Sequence, residues 1–402
     1  MNKFKLALSV STIVSAVGCH SPDIKTDPQI VIKNPADGGA ISQLVSLTFS
    51  TDKQKELSQF NTAGLDSEWR ILANGEKALD ILVSLAPGEE KTVSFSTDGK
   101  LVEDVAYAEL SVRTGGEWQG KAYQADGFSF ENVKQFESPE QLTDHSYYLR
   151  YEGPGWENDL IGYRLYLDWR NGIDVFAKTG AKPGLAGVGQ DGYDSYHELA
   201  DWGADVLKVG SSLGLGALGR IKGEEVIHFQ EVDNTSWTLL GDNKLSASFN
   251  VNYQGWSVAN KKVDVSTDYT IHAGDPTTLV KVTLSEPIDN LVTGLVNHPN
   301  THFIKQQYKN WEVIATYGAQ SIAAEGDELG LAIFYQTNEV SEQYRGQHDY
   351  LVKFNPTTNL TYGLMAVWPQ HPSSPKNRQE FEALLNDKLH VLAFPVEATV
   401  TY

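Results

Sequence analysis

The sequence predicts an all-β protein, a large antiparallel β-sandwich, on three observations. Residues 244–253 alternate polar and apolar side chains, from Lys244 through Phe249 and Val251 to Tyr253, which is the two-residue period of a half-buried strand. Residues 277–284 are a β-branched run bounded by Pro276 on one side and by Glu286 and Pro287 on the other. No stretch of comparable length has helical spacing; the best exception is 378–388, where Phe381, Leu384 and Leu385 fall on one face of a short helix. Glycine and proline punctuate the rest, as hairpins require.

At the start of the chain, Lys3 and Lys5 precede an uncharged stretch that ends in the small residues Ser15, Ala16, Val17 and Gly18, just before Cys19. That is the pattern of a signal peptide over residues 1–18, too short in its apolar core to span a bilayer, which takes about 20 apolar residues. Small residues before a cysteine suit lipoprotein processing, with Cys19 as the lipidated residue and 19–28 as a polar tether. The alternative is ordinary cleavage that leaves Cys19 a plain thiol. His20 follows the cysteine where Asp would favour inner-membrane retention, so an outer-membrane lipoprotein or a periplasmic protein is expected. Cys19 is the only cysteine in 402 residues, which excludes disulfides and thiolate metal clusters and leaves burial to stabilise the fold. The net charge of −20, more negative by two once Lys3 and Lys5 are removed, argues against nucleic acid or an anionic membrane surface as partner. Residues 29–120 read as an N-terminal β region, 121–146 as a bridge rich in Glu, Gln and Ser, and 147–402 as the main β-sandwich with the catalytic region.

Charged and aromatic residues concentrate between Arg150 and Gly219. Trp156, Glu157 and Asn158 are followed by Arg164 and Asp168, which share a strand face with Tyr166. A second group places Tyr196 and His197 in a polar loop, with Trp202 and Lys208 close behind. Imidazole titrates near neutrality and a phenol donates or accepts, so Tyr196 and His197 offer an acid and a base provided a loop turns both toward one ligand. Residues 210–219 contain a literal G-x-G-x-x-G, but Arg220 leads on toward another strand and not a helix, so no dinucleotide site is read there. Those glycines are expected to let backbone pass close to a ligand or to a packed neighbour. His298 and His302 lack the helical context that would make a metal pair, and the loop of Trp368, His371 and Lys376 is rigidified by prolines where it could wall a sugar pocket.

Several segments resemble, in order and spacing, the domain-of-unknown-function family numbered 4861: Val31 to Pro35, Leu85 to Glu89, Trp156 to Asp159, Gly172 to Lys178, Ser195 to His197, and Asp205 to Gly210. The resemblance spans nearly the whole chain beyond the leader. It implies a β-sandwich of the galactose-mutarotase (supersandwich) type and a role in bacterial degradation of uronate-rich polysaccharide. It carries no catalytic residues with it, so these are assigned on chemistry.

An acidic oligosaccharide is the substrate this implies, and β-elimination is the economical reaction. The C5 proton of a uronate is weakly acidic, so a site must neutralise the carboxylate while a base takes that proton and an acid assists the C4 oxygen. His197 is the expected base and Tyr196 the acid, or the reverse, with Arg164 and Lys208 as catalytic cations. Arg150, Trp156, Glu157, Asn158, Trp202 and His371 are the expected substrate-binding residues. No cofactor is called for and no metal is assigned. Loss of water makes the enzyme a dehydratase and loss of a sugar makes it an exo-lyase. The alternatives are a glycoside hydrolase with two carboxylates from Glu157, Asp168, Asp174 and Glu198, or a non-catalytic glycan-binding surface lipoprotein stacking sugars on some of its nine Trp and eighteen Tyr.

Overall fold

The computed structural model describes residues 28–72, 75–97, 103–192 and 195–401. The leader, Cys19 and nearly all of the tether lie outside the described residues. The chain is all-β, as its periodicity predicts, and among the described residues the strands pair antiparallel apart from one isolated parallel bridge between Ile173 and Gly214. The alternating run is the core of the strand Ser246–Val258, in which Phe249, Val251 and Tyr253 are buried and the residues between them are not. The β-branched run is the strand Asp275–Leu284.

Both strands belong to a nine-stranded sheet. Its order is Gln135–Glu137, Asn234–Asp242, Ser246–Val258, Lys261–His272, Asp275–Leu284, Asn359–Val367, Leu329–Gln336, Trp311–Gly318 and Thr301–Tyr308. Facing it are a six-stranded sheet and a five-stranded sheet. One apolar cluster, including Trp156, Tyr163, Val175, Leu215, Trp237, Phe249, Tyr269, Val292 and Leu364, joins the three sheets as the sandwich core. The Ile173 to Gly214 bridge stitches the two smaller sheets together. Gly214 has φ 69°, and a Cβ there would meet the Ile173 carbonyl oxygen at 2.0 Å, so this glycine serves close backbone approach. The chain continues from it into the strand Leu215–Lys222, the geometry that rules out a dinucleotide turn.

The boundaries differ from those drawn on composition. Strand Tyr107–Arg113 pairs with Gly155–Glu157 inside the six-stranded sheet, and residues 121–146 carry the strands Ala122–Ala125, Phe130–Val133 and Gln135–Glu137. The last strand, Glu397–Thr401, returns to pair with Gln29–Lys33, so the small N-terminal core of Ile30, Leu47, Leu79, Ile81 and Val93 is closed by Val396 and Ala398. A polar composition hides these pairings because edge strands need little apolar surface.

The expected helix runs Arg378–Ala393, five residues beyond its predicted end. Asn377 caps it, its side-chain oxygen accepting from the Glu380 N–H at 3.0 Å. Phe381, Leu385 and Leu389 pack on the outer face of the nine-stranded sheet against Val313, Phe334 and Met365.

Asp349 is buried at the start of its strand, where its Oδ1 accepts from the Leu213 N–H at 2.9 Å. Burial pushes this carboxyl up to about 7. Because the folded form holds the proton more tightly than the unfolded chain, Asp349 contributes fully below an ordinary aspartate pKa of about 3.9. That contribution is lost as pH rises through about 7. Asp349→Asn keeps an acceptor for Leu213 and cannot ionise. Thermal unfolding of this variant is expected to match wild type below about pH 3.9, to exceed it by a margin that grows as pH rises to about 7, and to keep that margin in mildly alkaline buffer; equal curves at both ends would refute the assignment.

Candidate functional site

The site is laid out by strand register on the outer face of the six-stranded sheet. One rung across four neighbouring strands reads Glu109, Gly155, Arg164 and Asp174. Directly paired residues share a face, and so do residues two apart on a strand. Asp205 pairs with Phe176, two residues beyond Asp174, and therefore joins the same face. The alternate residues Tyr163, Leu165 and Val175 point into the sandwich core.

Arg164 is 2% exposed and is the hub of this face. Its Nη2 donates to Asp174 Oδ2 at 2.8 Å, to Asp205 Oδ2 at 2.7 Å and to the Tyr166 phenol at 2.9 Å. Its Nη1 donates to the Tyr196 phenol oxygen at 3.2 Å, and Glu152 Oε2 lies 3.8 Å away. The rings of Tyr166, Phe176 and Tyr196 surround the guanidinium at 4.6, 5.0 and 5.1 Å. Burial and then the neighbouring charge of Asp174 hold Asp205 well above the usual carboxylate range. Burial works against the Arg164 charge, yet Tyr166, Asp205 and Asp174 outweigh it and keep the guanidinium firmly protonated.

Two loops cover this face and leave a cleft with about 320 Å³ of empty space, part of it open to solvent. Its lining includes Phe128, Phe130, His145, Tyr147, Tyr151, Glu152 and Tyr196, with Gly189 and Gly192. His145, Tyr147, Tyr151 and Glu152 have φ values of 54°, 58°, 39° and 66°. Four non-glycine residues in left-handed backbone cost of order 1–3 kcal/mol each, and such strain gathers where function demands a fixed side-chain direction. Gly155 makes room for the Tyr151 ring, since a Cβ there would meet the phenol oxygen at 2.6 Å. The Tyr151 phenol in turn donates to the buried Glu109. Gly192, at φ 117°, lies against the Phe128 ring, where a Cβ would come within 2.8 Å.

Charge around the cleft is tightly paired. Arg170 binds Asp144 at 2.8 Å, Glu152 at 2.8 Å and Asp168 at 2.6 Å. Burial tends to raise Glu152, but Arg164 and Arg170 outweigh it, so this carboxyl sits below its ordinary value and is ionised at neutral pH. Burial raises Asp168 despite its bond to Arg170.

Of the residues chosen from sequence, the fold brings together Arg164, Tyr196 and His197. Ser195–His197 forms a single turn of 3₁₀ helix, and the imidazole ring lies 4.5 Å from the Tyr196 ring. Its Nε2 is 3.7 Å from Asp205 Oδ2. The other choices are placed elsewhere. Lys208 is exposed, and its carbonyl accepts from His298 Nε2 at 2.9 Å. Arg150 is buried, bonded to Glu109 and to the carbonyls of Ala186 and Val188, so it anchors the covering loop. Trp156 is core, its indole donating to Thr278 at 2.8 Å. Glu157 accepts from the Gly184 and Leu185 N–H groups and pairs with Lys178. Asn158 ties its loop to the carbonyls of His272 and Asp275. Trp202 packs edge-on against Phe176, 5.9 Å between centroids. His371 is buried, accepting from the Ser373 N–H, in a loop whose Trp368 is core and bonds Asp327. These polar residues satisfy buried backbone groups, a task that composition alone does not distinguish from ligand binding.

The sequence reading missed Phe128, Phe130, His145 and Tyr147, which come from the segment taken as a bridge or its edge. A signal was present: two Phe, a His and paired Tyr in a polar stretch are more than a linker needs.

Among solved structures, a glycosyl hydrolase family 38 protein from Enterococcus faecalis aligns with a TM-score of 0.45 at 10% identity, over 93% of this chain and 47% of that one. An α-mannosidase from Enterococcus faecalis V583 gives 0.44 at 10% identity, over 93% and 46%. The chain thus spans about half the length of either. No curated protein matches it. Residues 51–398 match the family described as domain of unknown function DUF4861, and the chain belongs to that family.

Proposed function

We propose that this protein is a carbohydrate-active enzyme that eliminates water or a sugar from a uronic-acid-containing oligosaccharide bound in the cleft. The observation that carries the reading is the convergence of a phenol, an imidazole and a buried guanidinium beneath a cleft walled by aromatic rings on strained backbone. Aromatic faces suit the C–H faces of sugar rings, and strain of this kind fixes ligand-facing side chains. Arg164 donates to the Tyr196 oxygen, so the phenol proton is turned away from it.

In the proposed step His197 takes the C5 proton and Tyr196 gives its proton to the C4 oxygen. The C5–H electron pair becomes the C4=C5 double bond, the C4–O bond breaks, and the leaving group departs as water or an alcohol. Imidazolium then returns a proton to phenolate, which restores both groups. Arg170, whose side chain is 17% exposed, is the more accessible of the two guanidiniums beside Glu152 and is the proposed counter-charge, taking the substrate carboxylate in place of Asp144, the most exposed of its three carboxylate partners.

A second reading, glycoside hydrolysis, is favoured by one feature: Glu152 is an ionised carboxylate on the cleft wall, and both guanidiniums beside it are already paired. Export as a lipoprotein through Cys19, to the outer membrane or periplasm, belongs to the same proposal. Among the described residues no helix is long and apolar enough to cross a membrane.

The test is ultraviolet absorbance of the unsaturated product on a panel of uronate oligosaccharides. Wild type is expected to generate it, and Tyr196→Phe and His197→Ala to lose about 10²-fold or more in kcat, the low end of general acid–base effects. An active His197→Ala variant releasing saturated sugars would favour hydrolysis.

A further inference from the structure

We propose that Asp205 is a positioning residue for His197, fixing the imidazole as the Nε2–H tautomer so that Nδ1 is the proton-accepting nitrogen, and that through Arg164 it joins the imidazole and the Tyr196 phenol into one unit. The inference rests on the elimination reading for its catalytic consequence and on geometry alone for the tautomer. Asp205 Oδ2 lies 3.7 Å from His197 Nε2 and accepts from Arg164 Nη2 at 2.7 Å. Arg164 Nη1 reaches the Tyr196 oxygen at 3.2 Å. One buried carboxyl oxygen and one buried guanidinium therefore link the two groups assigned to move protons. The strand Gly203–Asp205 supplies the rigidity, since its register against Ile173–Lys178 places Asp205 on the face beneath the cleft.

Because Asp205 Oδ2 already accepts from Arg164, a proton held by this carboxyl sits on Oδ1, so Oδ2 faces Nε2 as an acceptor, which puts the hydrogen on Nε2 and leaves the lone pair on Nδ1. At 3.7 Å the contact is longer than a hydrogen bond; such contacts commonly tighten when substrate binds. Asp174 shares Arg164 with Asp205, its Oδ2 accepting from Arg164 Nη2 at 2.8 Å, and serves as the comparison residue for the buried charge.

The test uses the full chain labelled with nitrogen-15 histidine, the His197 signals being assigned by their loss in His197→Gln. In wild type the neutral imidazole is expected as the Nε2–H tautomer, and in Asp205→Asn as a mixture. With uronate oligosaccharide, Asp205→Asn is expected to lose about 10- to 100-fold in kcat with KM changed by less than about twofold, as for a group acting through the base. Nδ1–H in wild type overturns the proposal without any variant having to fold, and so does an unchanged tautomer in Asp205→Asn. A tautomer that shifts as expected, in a protein with no turnover on uronates, upholds the positioning and refutes the elimination reading.

Discussion

Replacing Arg164 by methionine is expected to cost about 3–5 kcal/mol of folding stability, the penalty for breaking a buried ion pair from one side. The guanidinium is the cation on which Asp174 and Asp205 both converge, with Tyr166 and Tyr196 completing its hydrogen bonds. Without it two carboxyl groups remain on a dry sheet face, and burial then forces both toward the protonated form. Urea unfolding should show a lower midpoint at an unchanged slope. Stability and function separate in the triple variant Arg164→Met, Asp174→Leu, Asp205→Leu, because apolar replacement of a whole buried ionic cluster is often neutral or better. That variant is expected to regain most of the lost stability and none of the turnover. A triple variant as unstable as the single would show that the cluster is needed for folding itself.

Lys388→Met carries the other large effect, again about 3–5 kcal/mol because it strands a buried carboxylate. Lys388 reaches from the helix Arg378–Ala393 to Asp275 at the start of a central strand, and both are buried. Asp275 also accepts from the Thr277 N–H at 2.9 Å, and its carbonyl holds Asn158. Burial alone would raise Asp275; Lys388 first and His272 next outweigh it, so its pKa falls below the ordinary value. A depressed folded pKa means that the unfolded chain binds the proton more readily, so this contribution is complete above about pH 3.9 and disappears as pH falls through the lower folded value. Burial keeps His272 neutral by lowering its pKa, and the sign is the same: stability begins to fall below about pH 6.5, where the unfolded histidine protonates. In Lys388→Met the step belonging to Asp275 should be lost from the acid limb or reversed, since burial then raises the carboxyl, while the one belonging to His272, which burial lowers most, remains in smaller form. A pH–stability profile parallel to wild type would refute the assignment.

Strand periodicity made the architecture legible, because a half-buried strand cannot hide its alternation: Ser246–Val258 and Asp275–Leu284 are where the pattern put them. The same rule made Arg164 legible as a residue sharing a face with its neighbours, and loop polarity singled out Tyr196 and His197. What sequence did not reveal is which buried polar groups serve the backbone. Arg150, Glu157 and Asn158 have the chemistry of a sugar site, yet their partners are the carbonyls and N–H groups of loops whose path only the fold defines. The left-handed residues His145, Tyr147, Tyr151 and Glu152 were equally hidden, since nothing in a side chain announces a positive φ outside glycine and asparagine. The pairing of Glu397–Thr401 with Gln29–Lys33 joins the first and last of the described strands, a contact no local pattern encodes.

Mass balance of the products formed from a defined uronate oligosaccharide is the most direct measurement. Elimination at C4 gives products whose masses sum to that of the substrate when a sugar leaves, or an oligosaccharide lighter by one water when a hydroxyl leaves, and Tyr196→Phe should slow either about 10²-fold or more. Products that together weigh one water more than the substrate, or an untouched substrate across the panel, would contradict it.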